Sequence, residues 1–156
     1  MRLIVFCLAL LAATPALGLS CMRPDAVRMF EQARDADAAY YIVKGELSFL
    51  ETPKTPPRNA KTPALTRARV TGEALSNSGF NASFDRDVTV EASCIGPWCG
   101  SPEGLSGPLI MALRIDATDV ILEISACGGD QVPWTENAEE RLLQCHLDDI
   151  CIPAEF

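Results

Sequence analysis

Apolar positions repeat with a period of two through most of the chain's middle and at helical spacing near both of its ends. That pattern predicts strands flanked by a helix on each side. After Pro24 and Asp25, which suit a first helical turn, Val27, Phe30, Ala33 and Arg34 follow at helical spacing with Met29 beside them, so a short helix is expected to about Asp37. From Ala38 to Leu50, Tyr41, Val43, Leu47 and Phe49 alternate against Lys44, Glu46 and Ser48. Gly45 falls on the apolar face of this first strand, where a missing side chain permits coiling or a bulge. Four more strands are expected. Their inward faces are Ala68, Val70, Gly72 and Ala74; Val88, Val90 and Ala92; Leu109, Met111, Leu113 and Ile115; and Val120, Leu122, Ile124 and Ala126.

The connections are equally marked. Residues 51–64 hold Pro53, Pro56, Pro57 and Pro63 and read as an extended loop, because proline cannot donate to a sheet ladder. Residues 94–107 carry four glycines, two prolines and the Cys94 and Cys99 pair, and read as a clamped loop. Asp116 to Asp119 reads as a tight hairpin. Gly128, Gly129 and Pro133 are expected to break the sheet, and Thr135 to cap a helix that runs to about Leu147 with Ala138, Leu142 and Leu143 on its buried side. Five one-sided strands with flanking helices fit a mainly β domain, a five-stranded OB-type antiparallel barrel, because closure removes exposed edges. A β-sandwich is the second choice and would call for more strands.

The first twenty residues change the picture from fold to compartment. Arg2 precedes an apolar run of eleven residues, Leu3 to Ala13, well short of the roughly 20 that a membrane span needs. Residues 1–20 therefore read as a secretory signal cut after Ser20 or Gly18, leaving a single domain over 21–156. A lipoprotein reading of Gly18-Leu19-Ser20-Cys21 would lipidate Cys21, and membrane association is expected only in that case. Cys7 leaves with the signal. The six that remain, Cys21, Cys94, Cys99, Cys127, Cys145 and Cys151, form an even set in an exported chain and read as disulfides rather than a zinc site. Six thiols allow 15 connectivities. Local closure favours Cys94 with Cys99 and Cys145 with Cys151, leaving Cys21 to join Cys127.

Composition then excludes function classes. The 156 residues carry a net charge of -8, which becomes -9 once Arg2 leaves, and aromatics are 6% of the chain. Both oppose nucleic-acid binding, which relies on clustered cations and stacking platforms. The single histidine, His146, would have to serve any His-dependent mechanism, yet it sits between Cys145 and Leu147 and reads as a helix-end residue. No catalytic residue, intrinsic metal site or cofactor is assigned, and an enzyme is not expected. Trp98 and Trp134 lie near cysteines and are expected to bury against disulfides. Lys54, Arg58, Lys61, Arg67 and Arg69 occupy residues 52–71 without an acid, whereas residues 116–149 hold nine acids and Arg141 alone. The basic set is a candidate partner-binding surface. Asn81-Ala82-Ser83 matches a glycosylation acceptor.

Cys21 beside Pro24, the Ala-rich helix into Ala36-Asp37-Ala38, and Ile42-Val43-Lys44-Gly45-Glu46-Leu47 resemble the opening of netrin-like (NTR) domains, the group that includes the tissue inhibitors of metalloproteinases. Cys99-Gly100, the hairpin, Ile124-Ser125-Ala126-Cys127, Val132-Pro133-Trp134 and an acidic helix resemble the end of that domain. The resemblance implies an exported, non-catalytic protein-binding module of the extracellular space or periplasm. It also implies a second function, inhibition of a metalloprotease. In those inhibitors the amine and carbonyl of the mature N-terminal cysteine chelate the protease zinc, which here would fall to Cys21, with Met22 entering the specificity pocket. Where the inhibitors carry a second cysteine this chain has Arg23.

Overall fold

The computed structural model describes residues 20–154, so the expected signal lies outside the described residues except for Ser20. Helix α1 spans Ala26–Asp35 and is followed by strands β1 (Tyr40–Phe49), β2 (Ala64–Ser76) and β3 (Gly79–Ala92). A two-residue pair, β4 (Cys94–Ile95) and β5 (Trp98–Cys99), precedes β6 (Leu109–Asp116) and β7 (Asp119–Ser125). Two short strands, β8 (Gly128–Gly129) and β9 (Gln131–Pro133), then lead to helix α2, Glu136–Asp148. The fold is mainly β with two helices and three disulfides.

Among the five long strands, β1 pairs β2, β2 pairs β3, β3 pairs β7, β7 pairs β6, and β6 pairs β1. Four of these ladders are antiparallel, but Thr89 to Ala92 of β3 runs parallel to Ile121 to Ile124 of β7, which corrects the expected all-antiparallel arrangement. The segment between those strands makes the crossover that a parallel pair requires. The glycines after Cys127 also depart from expectation. Instead of breaking the sheet, Gly128 and Gly129 pair with β7, and Gln131 to Pro133 pair with β6, so the sheet has seven strands rather than five.

Two apolar clusters lie on opposite sides of this sheet. One joins Val43, Val70, Phe84, Val90, Met111, Leu113 and Leu122, all from the long strands. The other joins Val27, Met29 and Phe30 of α1 and Leu142 and Cys145 of α2 to the reverse face of the sheet at Ile42, Ile110 and Ala112. Strand β6 thus buries both faces, which its unbroken Leu109-Ile110-Met111-Ala112-Leu113 run permits. Gly45 faces Gly72 across the β1–β2 ladder, and a Cβ on Gly72 would lie 2.6 Å from the Gly45 Cα. Two side-chain-free positions therefore let β1 and β2 approach where β1 is paired with β2 on one edge and with β6 on the other. The register stays regular at Gly45; the one irregularity of the β2–β3 ladder is at Ala74/Leu75.

Candidate functional site

The N-terminal segment is fixed at two points. Cys21 is bonded to Cys127, 106 residues away and just beyond β7. Four residues later, Asp25 caps α1: its Oδ1 accepts from the Val27 and Arg28 N–H groups, both at 3.1 Å. Its Oδ2 accepts from Arg141 Nη1 of α2 and from the Ala154 N–H, each at 3.0 Å. Asp25 is only 8% exposed, so one buried carboxylate ties α1, α2 and the C-terminal segment together. It is the helix cap, rather than a first-turn residue as its sequence suggested. Burial works to raise this carboxyl, but hydrogen bonds from Ala154, Arg28 and Arg141, with the Arg141 charge, hold it below the usual carboxylate range.

Between the anchors, Met22, Arg23 and Pro24 are exposed, Met22 at 64%. Pro24 lies against the backbone at Gly128, whose φ of 96° suits glycine. Beneath the ridge is a cleft of about 450 Å³ shared by Cys21, Arg28, Gln32, Ser125, Asp130 and Val132. Asp130 is pushed up to about 6, first by burial and then by the Glu123 carboxylate, with Arg114 acting the other way. The neighbouring Gln131 Oε1 is buried without a hydrogen-bond partner among the described residues. The exposed edge, anchored at both ends, thus lies over a partly polar cleft.

The other expected residues lie elsewhere. Arg67 meets Asp87 at 3.3 Å, Arg69 meets Asp85 at 2.7 Å and Asp87 at 3.0 Å, and Lys54 meets Glu51 at 3.0 Å. The acids come from the neighbouring strand and the loop start, so three of the five cations are already paired. Arg58 and Lys61 are exposed on the 50–63 segment. Asn81 is exposed beside the β2–β3 turn, where its Nδ2 donates to Ser78 Oγ and its Oδ1 accepts from Ser76 Oγ. His146 Nε2 lies 2.9 Å from the Ser76 carbonyl oxygen, and its ring meets Phe30 edge-on. Trp98 and Trp134 are 41% and 37% exposed, which corrects the expectation that both pack into disulfides. Trp98 sits in the turn that the Cys94–Cys99 bond clamps, and the Trp134 indole donates to Glu139 Oε2 at 2.6 Å.

All six cysteines of residues 20–154 are paired as local closure suggested: Cys21–Cys127, Cys94–Cys99 and Cys145–Cys151. Among the described residues no group of three His, Cys, Asp or Glu side chains is arranged to hold a metal ion. No helix among them is long and apolar enough to cross a membrane. Sequence reasoning missed the Asp25–Arg141 clamp. Its one visible signal was Arg141, the lone cation among nine acids. No protein-family model matches this chain, and neither curated proteins nor solved structures give a match.

Proposed function

We propose that this chain is an exported, non-catalytic protein-binding module of the netrin-like type that works in an extracellular or periplasmic space. In this reading the five long strands form an OB-type barrel. Its support is the order in which they pair, β1-β2-β3-β7-β6 and back to β1, with the parallel contact between β3 and β7. The function rests on one observation. The Met22 to Pro24 ridge is exposed although the Cys21–Cys127 bond and the Asp25 clamp hold both of its ends. A surface ordered before binding avoids the entropy that a flexible segment loses on docking.

N-terminal sequencing of the exported protein, followed by affinity capture with wild type and a Met22→Ala/Arg23→Ala variant, tests this reading. A partner retained by wild type and lost by the variant is expected; capture indifferent to the ridge would reject it. A second reading, metalloprotease inhibition, draws support from Met22, which is exposed directly after the disulfide-fixed Cys21. It requires a mature chain that begins at Cys21. Protein with that N-terminus should then inhibit a zinc protease, and one added alanine should abolish inhibition by covering the amine.

A further inference from the structure

On the far side of α2 from its buried stripe, a groove of about 790 Å³ runs from Trp134 to Leu147. At 1.5 Å per residue its length is roughly 20 Å, close to four helical turns. Leu143 and the 51%-exposed Leu147 supply apolar surface, and Trp134 closes one end. The tryptophan is held ready. Its indole bonds Glu139, and Glu139 in turn accepts from Lys44 Nζ at 2.8 Å, so the ring is fixed to the sheet through an ion pair. The rim is acidic: Glu136, Glu140 and Asp148 are exposed and line the groove, which contains no lysine or arginine. A smaller depression beside it shares Trp134 and adds Glu46, with Glu73 and Lys44 paired to each other at 3.4 Å.

We propose that this groove docks a cationic amphipathic helix of a partner protein, its apolar face on Trp134, Leu143 and Leu147 and its Lys or Arg side chains against Glu136, Glu140 and Asp148. Charge complementarity selects that occupant. A second copy would bring one acidic rim to a chain whose own net charge is -8, and an anionic lipid surface would meet the same repulsion. The inference rests on the reading of the chain as a binding module but uses a different face from the N-terminal ridge.

The chain has two tryptophans, so a Trp98→Phe background leaves Trp134 as the sole reporter. The probe is a helical Leu/Lys peptide of about 14 residues, three to four turns, titrated beside a Leu/Glu peptide of the same pattern. A saturable one-to-one blue shift is expected with the Leu/Lys peptide alone, weakening by about tenfold or more as salt screens the rim. Glu136→Lys/Glu140→Lys should weaken it by a similar factor, and Leu147→Ser should weaken it separately, with circular dichroism showing both variants folded. Equal binding of the Leu/Glu peptide, indifference to both variants, or self-association that Leu147→Ser abolishes would overturn the proposal. The two readings fail separately. A partner captured through Met22 and Arg23 and insensitive to Glu136→Lys/Glu140→Lys would overturn the groove and leave the module standing. Groove-dependent peptide binding with no ridge-dependent partner would do the reverse.

Discussion

The two faces of the sheet are held together by different means. The strand-side cluster is contributed by the five long strands, and the ladders that pair them also order its side chains. The helix-side cluster has no such ladder: α1 and α2 lie on Ile42, Ile110 and Ala112 through side chains alone. Around that second cluster are the Cys21–Cys127 bond, the Cys145–Cys151 bond and the Asp25–Arg141 pair. Two of the three disulfides and the buried Asp25–Arg141 pair thus lie where backbone pairing cannot reach, whereas the ion pairs of Arg67 and Arg69 with Asp85 and Asp87 are exposed and sit on strands already paired. The difference predicts that the helix layer can loosen while the strands remain paired.

The largest effect should come from Cys21→Ser/Cys127→Ser. For a closed loop of about 100 residues the chain-entropy model gives about 4 to 5 kcal/mol, against about 2 kcal/mol for a loop as short as that closed by Cys94–Cys99. Urea denaturation would measure both. Hydrogen exchange would sharpen the comparison, because amides of α1 should lose protection before those of β2 and β3; simultaneous loss in helices and strands would break it. Next in size is a pair of matched core truncations. Leu142 and Leu122 are both fully buried, one on each side of the sheet. Each change to alanine should cost about 3 kcal/mol through lost transfer energy and a cavity. Leu142→Ala should raise exchange mainly in α1 and α2, whereas Leu122→Ala should raise it throughout. Identical exchange patterns would show that the layers unfold as one.

The strand-side face was the legible one, because period-two alternation survives wherever a strand has one buried and one wet side. Val43, Val70, Val90 and Leu122 could be read directly from it. The first half of β3 escaped because Ala82 and Arg86, both exposed, interrupt its apolar positions, and because the irregularity at Ala74/Leu75 puts Phe80 in the helix-side cluster while Phe84 and Val88 lie in the strand-side one. Both features dilute an alternating signal. Gly128 and Gly129 join the sheet by backbone pairing and have no side chains to announce it. The disulfides were legible where a turn brings neighbours together, and the long bond followed by elimination. For the site, the exposed Cys21 to Arg23 ridge lay within reach of sequence reasoning, but the anchor did not. Asp25 and Arg141 are 116 residues apart, and no local pattern links a cap at one helix to a cation on another.

Breaking that anchor should have the third effect. Asp25→Asn can keep the helix cap, yet the amide NH2 that then replaces Oδ2 must face both the Arg141 guanidinium and the Ala154 N–H, donor against donor. Leaving such buried groups unsatisfied should cost about 2 kcal/mol at neutral pH. The sign with pH is fixed by the lowered carboxyl. Its stabilising share is present above the unfolded value of about 4 and is lost as acid protonates the folded state, so wild type and Asp25→Asn should converge in stability at low pH. A constant difference across the acid range would mean that the charge is not what Arg141 and Ala154 require.

The smallest effect belongs to Asp130, where the two layers meet and the sign reverses. Its N–H donates to the Glu123 carbonyl of β7, and its own carbonyl accepts from the Ala112 N–H of β6. Those two bonds fix the backbone between β8 and β9 and leave the carboxyl in a position where burial and the Glu123 charge favour its protonated form, up to about 6. An acid with a raised folded value stabilises fully below the unfolded value of about 4 and loses that contribution as pH rises through about 6. Asp130→Asn, which keeps the shape and removes the titration, should therefore gain stability relative to wild type between pH 4.5 and pH 7. Urea midpoints at these two pH values decide it. A variant whose difference from wild type stays flat over that interval would place the Asp130 carboxyl in water, outside the cleft beneath the ridge.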